Sequence, residues 1–129
     1  MLPSNNHNHL HAFSKSERLC GKVRIQNLYA KGSKFVVWPL RVTYVEQAEG
    51  LGYPEVLIWA PKALFKHAVQ RNLLRRRMRE AYRQNKTPLL NRNLQIAFNY
   101  IDKSVQPYQV IEKAMLKAIH KMSLVETTH

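Results

Sequence analysis

Thirteen residues, Arg71 to Arg83, hold six arginines against a single acid, Glu80, a local net charge of +5. Arginine presents a planar fork of donors that matches phosphate oxygens and base edges in pairs, so this stretch offers anion recognition. Its spacing is that of a helix. Leu74, Met78, Ala81 and Tyr82 recur at helical intervals and, at about 100° per residue, share one arc. Arg75, Arg79, Asn72, Arg83 and Arg76 fall on the arc beside it. One face can dock on a core while the other turns guanidinium groups outward. Helices whose charges merely face water alternate in sign, because like charges four residues apart repel. Arg71, Arg75 and Arg79 stand four apart with almost no acid to relieve them, which favours a polyanionic partner, nucleic acid first.

Other chemistries lack their parts. Metal-assisted cleavage of a phosphodiester needs clustered carboxylates, and the chain has one aspartate, Asp102, with seven scattered glutamates. Glu46, Glu49 and Glu55 bracket a loop and read as solvated charges. His67 and His120 read as surface histidines, without the placed partner that acid–base work requires. Cys20, the single cysteine, excludes an internal disulfide and a cysteine-based zinc site, and is expected to be a partly buried, inert thiol. A lone cysteine suits a reducing, cytoplasmic compartment. No organic cofactor and no metal site are expected on the chain.

The arginine stretch sits in a chain of 129 residues with net charge +13 and a sequence pI near 10.2. A field of that sign gathers and steers polyanions. At 45% hydrophobic residues, with aromatics included, the chain can still bury a core. No run reaches the roughly 20 apolar residues of a membrane helix, and no membrane partner is expected. Residues 1–12 read as a disordered polar arm carrying His7, His9 and His11, and residues 125–129 as a frayed end.

Between these ends the periodicities predict one domain. Val23, Ile25, Leu28 and Tyr29 suggest a short helix over Lys22 to Lys31, with Gly32 as its stop. Phe35 to Val45 reads as a strand, with Pro39 confining its start to an edge or to Leu40. Residues Glu46 to Pro54 read as a hairpin loop. Glu55 to Ala60, wholly apolar at its centre, reads as a central strand. The arginine helix is expected from about Leu64 to Asn85, a strand from Leu94 to Ile101, and a last helix opening at Pro107. Its core stripe would be Tyr108, Ile111, Met115, Ala118 and Met122. The sum is an α+β sandwich, a small sheet with helices against it. A second surface interleaves aromatic with polar and basic groups at Tyr29, Phe35, Arg41, Thr43 and Tyr44. Such a mix can stack unpaired bases or can be core.

The run Ala68-Val69-Gln70-Arg71-Asn72-Leu73-Leu74-Arg75-Arg76-Arg77-Met78-Arg79-Glu80-Ala81-Tyr82-Arg83 resembles the signature helix of the bacterial ribonuclease P protein subunits. Arg71, Asn72, Leu74, Arg75, Arg76, Arg79 and Glu80 fit that signature. Leu73 stands where it usually has arginine. Lys62 resembles the first of two lysines the family often carries after the apolar strand, and Ala63 replaces the second. The resemblance runs from about Phe13 to Leu124 and implies that residues 13–124 form an RNA-binding domain.

That resemblance implies a single-domain sandwich in the order α-β-β-(β)-α-β-α, with a left-handed β-α-β crossover against the usual preference. It implies a subunit that assists a catalytic RNA in removing the 5′ leader from precursor tRNA. The RNA would hold the active site and the Mg2+; ribonuclease P RNA and precursor tRNA would be the partners, and no DNA. The RNA-binding set on this reading is Lys62, Lys66, Arg71, Asn72, Arg75, Arg76, Arg79 and Arg83. A cleft between the first helix and the sheet would hold the leader, with Tyr29, Phe35, Arg41, Thr43 and Tyr44 as candidates and Ile25 where the family often has an aromatic residue. Composition alone would equally allow a small ribosomal or other structural RNA-binding protein; only the signature helix separates the two. An autonomous nuclease is opposed by the scattered carboxylates, and a membrane-surface peptide by the missing bulky stripe.

Overall fold

The computed structural model describes residues 15–125. The expected arm over residues 1–12 lies outside the described residues, as do 126–129 of the expected frayed end. Within them lie helix α1 (Lys22–Lys31), strands β1 (Ser33–Val37), β2 (Leu40–Glu46) and β3 (Glu55–Trp59), helix α2 (Ala68–Asn85), strand β4 (Leu94–Tyr100) and helix α3 (Tyr108–Ser123). Single turns of tighter helix stand at Lys15–Glu17 and Thr87–Leu89. This is the α+β sandwich that the periodicities predict, three helices against one sheet, with four strands in the sheet where they give three.

The sheet runs β1-β2-β4-β3. β1 with β2 and β2 with β4 are antiparallel, while β3 and β4 are parallel and joined through α2. Three sequence expectations change here. Phe35 to Val45 is two strands, folded back at a two-residue turn whose Trp38–Pro39 peptide is cis. Residues Glu46 to Pro54 do not close a hairpin, because β4 inserts between β2 and β3. The apolar β3 is an edge strand, and the strand buried on both faces is β4, where every residue but Asn99 is buried. An apolar run shows that a strand is covered, and it does not show by what. Here the outer edge of β3 is taken by the N-terminal segment, where the Leu19 N–H donates to the Val56 carbonyl at 2.9 Å.

Strand alternation divides the residues between two layers. Leu40, Val42, Val56, Ile96, Phe98 and Tyr100 face α2 and α3, which bring Leu74, Met78, Ala81 and Tyr82 together with Ile111, Met115, Ala118 and Met122. The other face of the sheet meets α1 through Leu28, packed with Leu19 and Ala97. Gly32 ends α1 in ordinary extended backbone. A Cβ there would stand 2.6 Å from the Leu28 carbonyl oxygen and 2.8 Å from Thr43 Cγ2, so close approach of helix and strand demands the glycine. The arginine helix starts at Ala68, later than its apolar pattern suggests, because Leu64 and Phe65 turn back to bond the Pro61 carbonyl.

One ion pair lies inside the fold. Lys86, just past the C-terminus of α2, puts its Nζ 2.7 Å from Glu17 Oε1, with both side chains almost wholly excluded from water. An ammonium group also suits the negative end of the helix dipole. The pair ties the chain that edges β3 to the far end of α2. Removing one partner of a buried pair leaves a charge without compensation, at a cost of about 3–5 kcal/mol. Glu17→Ala should lower the urea midpoint accordingly, and Glu17→Leu with Lys86→Met should recover most of the loss. An unshifted midpoint in Glu17→Ala would show that water already screens the pair.

Candidate nucleic-acid interface

The arginines of α2 divide by what they touch. Arg71 Nη1 donates to the Phe65 and Lys66 carbonyls at 2.7 and 3.0 Å, bracing the turn that enters the helix. Arg77 donates to the Gln106 carbonyl, tying α2 to the entry of α3. Arg83 grips Glu80 with two bonds, at 3.0 and 2.5 Å. That pair holds the Glu80 carboxyl at about 2, first through the Arg83 and then the Gln84 hydrogen bond. A lowered carboxylate contributes stability above its ordinary value of 4.5 and loses it as pH falls towards 2. Both side chains are more than a third exposed, so water screens the contribution.

Arg75, Arg76 and Arg79 remain. Arg75 bonds the neutral Asn72 Oδ1, and among the described residues no carboxylate pairs with any of the three. The Arg79 guanidinium is held below its usual value, first by partial burial and then by positive Arg18, Arg75 and Arg76 around it. Burial and the neighbouring positive charges act on it in the same direction. Arg18, which the sequence pattern did not single out, joins Arg75 and Arg79 in a groove of about 300 Å³ along the outer edge of β3. Cys20 lines the same groove and is exposed, contrary to the expectation of partial burial, because the edging segment turns its side chain outward from the sheet. Lys62 and Lys66 are exposed on the turns leading into α2. Asn72 and Arg76 are exposed, and Leu73 is half-buried.

A second concavity of about 390 Å³ lies between α1 and the sheet, lined by Ile25, Tyr29, Leu57, Trp59 and Asn99. The register builds it. Val36, Arg41, Asn99 and Trp59 pair in one row across all four strands on the α1 side, at the end of the sheet. Trp59 is left 46% exposed there, a large aromatic face open to a ligand. Tyr29 bridges helix and sheet, its hydroxyl donating to Asn99 Oδ1 at 2.9 Å.

Among the six candidates for this cleft, the structure brings Ile25 and Tyr29 into its lining, while Arg41 is exposed beside it, paired with Asn99 across the sheet. Thr43 lies on the same face but is buried, packed beside Gly32. Phe35 and Tyr44 are on the opposite face: they stack edge to face at 5.8 Å, and Lys121 Nζ lies 4.6 Å over the Phe35 ring. A side chain one position along a strand belongs to the other layer, and Phe35 pairs with Val42, in phase with the helical core. Sequence reasoning missed Leu57, Trp59 and Asn99. The clue available was Trp59, a tryptophan at the last position of an otherwise aliphatic strand. Leu57 lines both concavities, so the cleft and the arginine groove meet across β3.

The expected loop carboxylates are in part committed: Glu46 takes two bonds from Arg92, and Glu55 pairs with Arg24. His67 and His120 are exposed. Among the described residues, no group of three or more His, Cys, Asp or Glu could hold a metal ion, and no helix is long and apolar enough to cross a membrane.

Comparison with known proteins agrees with this geometry. Residues 13–123 match the family model described as ribonuclease P. The ribonuclease P protein component of Porphyromonas gingivalis is 38% identical over 118 residues, covering 85% of each chain. That of Petrotoga mobilis is 31% identical over 114 residues, covering 85% of this chain and 94% of its own. In fold, the chain is similar to the ribonuclease P protein of Thermotoga maritima, with a TM-score of 0.71 at 18% identity, over 86% of this chain and 99% of that one. The Staphylococcus aureus protein gives a TM-score of 0.67 at 21% identity, over 86% and 98%.

Arg75→Ala with Arg79→Ala should weaken binding to RNA at all sequences alike and reduce the slope of log affinity against log salt by roughly 0.7–0.9 per arginine. An unchanged slope in a salt titration would mean that these arginines serve the fold and face water.

Proposed function

We propose, for a chain that belongs to the ribonuclease P protein family, a division of labour within the endoribonuclease of which it is the protein component. The arginine face of α2 binds the catalytic RNA, and the cleft between α1 and the sheet holds the single-stranded 5′ leader of precursor tRNA. The observation that supports this most is the unrelieved charge of Arg75, Arg76 and Arg79, meeting an aromatic cleft across β3. Phosphates neutralise the first surface, and unpaired bases stack on the second at Tyr29 and Trp59, while Arg41 reaches the backbone. Lys62, Lys66 and Asn72 extend the RNA face, and Arg71 and Arg83 shape it through the contacts that fix them.

The carboxylates argue that the chain leaves water activation to the RNA and the Mg2+ it holds. Glu17, Glu46, Glu55 and Glu80 are committed to cationic side chains. Glu112 accepts from Tyr108 and Asn85, and Asp102 from Trp38, the Ser104 N–H and Gln106. These groups position backbone and rings. The chain needs no organic cofactor and takes no DNA partner in this role, which is performed in the cytoplasm.

Reconstitution is the test. Added to a bacterial ribonuclease P RNA at low magnesium, the purified chain should raise 5′ maturation of precursor tRNA, with no cleavage by the chain alone. No gain would favour a structural RNA-binding role, and cleavage without RNA would favour an enzyme. Within that assay, Tyr29→Ala with Trp59→Ala should weaken binding of precursor tRNA by about 1–3 kcal/mol per lost stacking contact and leave binding of mature tRNA unchanged. Equal loss for both would place the leader elsewhere.

A further inference from the structure

A third basic surface lies on α3, beside the β1 edge of the sheet. Lys113, Lys117 and Lys121 follow one another at i,i+4 along α3, all exposed. The only acid on the helix, Glu112, is turned towards Asn85 and Tyr108 on the α2 side. Lys121 rests over the Phe35 ring, and the like charges of Lys113 and Lys117 repel at this spacing, a repulsion that an anionic partner relieves. Beside them lies a groove of about 290 Å³, lined by Val37, Trp38, Val110, Lys113, Ala114 and Lys117.

The groove is equipped for more than charge. Trp38 sits at the β1–β2 turn, 54% exposed, and its indole N–H donates to Asp102 Oδ1 at 3.2 Å. Asp102 is itself fixed by Gln106 Nε2 at 3.0 Å and the Ser104 N–H at 3.1 Å. The ring is thus held at its edge while a face is left open. An aromatic face beside a row of cations suits a single strand of nucleic acid, whose bases stack and whose phosphates pair. An acidic peptide would use the lysines but leave the indole face without a flat partner.

We propose that Trp38 with Lys113 and Lys117 forms a second site for single-stranded nucleic acid, separate from the leader cleft and from the arginine face. Strands β1 and β3 are opposite edges of the sheet, and the groove shares no lining residue with the cleft beside Trp59. One chain then engages two RNA segments at once. This site does not depend on the processing role, since its test reads binding alone.

The chain has two tryptophans, so Trp59→Phe leaves Trp38 as the sole tryptophan reporter in the full chain. A short oligouridylate should quench its emission saturably, and the quenching should persist when Arg75 and Arg79 are also replaced by alanine. Lys113→Gln with Lys117→Gln should abolish the quenching and lower the salt slope of binding by roughly 0.7 per lysine; both side chains are exposed, so the fold is retained, as circular dichroism would confirm. Unchanged Trp38 emission, or quenching that survives the lysine replacements, would overturn the proposal. So would displacement of the oligouridylate by an oligoglutamate peptide at equal charge concentration, which would assign the surface to an acidic protein.

Discussion

The burial of one edge of α2 against α3 and the sheet is the contact on which the rest of the molecule depends. Leu74, Met78, Ala81 and Tyr82 are fully buried, with the Tyr82 ring 5.9 Å from Phe98. A helix carrying this much positive charge has no reason to form by itself, since its arginines repel at every turn. Apolar burial, at about 25 cal/mol per Å², offsets that repulsion and fixes the rotation of the helix. Once the rotation is set, the arginines have no freedom over where they point.

The same packing sorts them. Arginines at the rim of the buried edge find carbonyls on neighbouring segments, as Arg71 and Arg77 do, and so spend their donors on holding the helix ends. Arg83 meets the one acid of its run. Arg75, Arg76 and Arg79 pair with no carboxylate among the described residues. A basic helix is thereby partly scaffold, and a count of charges along the sequence overstates the charge it leaves without an acidic partner.

β4 has an equal share in the architecture. It pairs with β2 on one side and β3 on the other and is covered above and below. Its even-numbered residues close the core with α2 and α3, while Ala97 meets α1 and Asn99 forms the cleft with Tyr29 and Trp59. The cleft and the arginine face are therefore two readings of one strand order, joined where Leu57 touches both. Family proteins that share this fold at under 25% identity show how little of it depends on particular side chains beyond their pattern.

Much of this was legible in the chain itself. Periodicity located α1, α2 and α3, because a 3.6-residue repeat of apolar groups is a local property. It also gave the phase of α2, and with it the division between docking edge and arginine face. What it could not give was adjacency. Strand pairing joins residues far apart, and the insertion of β4 between β2 and β3 leaves no local trace, so β3 reads as central and the Glu46–Pro54 loop as a hairpin. Nor could it assign aromatics to layers: Phe35 and Tyr29 look alike in sequence, and only the register sends one to the core side and the other to the cleft. The sequence by itself determined the elements, the charge and the family signature. The tertiary structure decided which of those charges are spent on the fold and which residues share a surface, because pairing and burial are settled between segments and not within them.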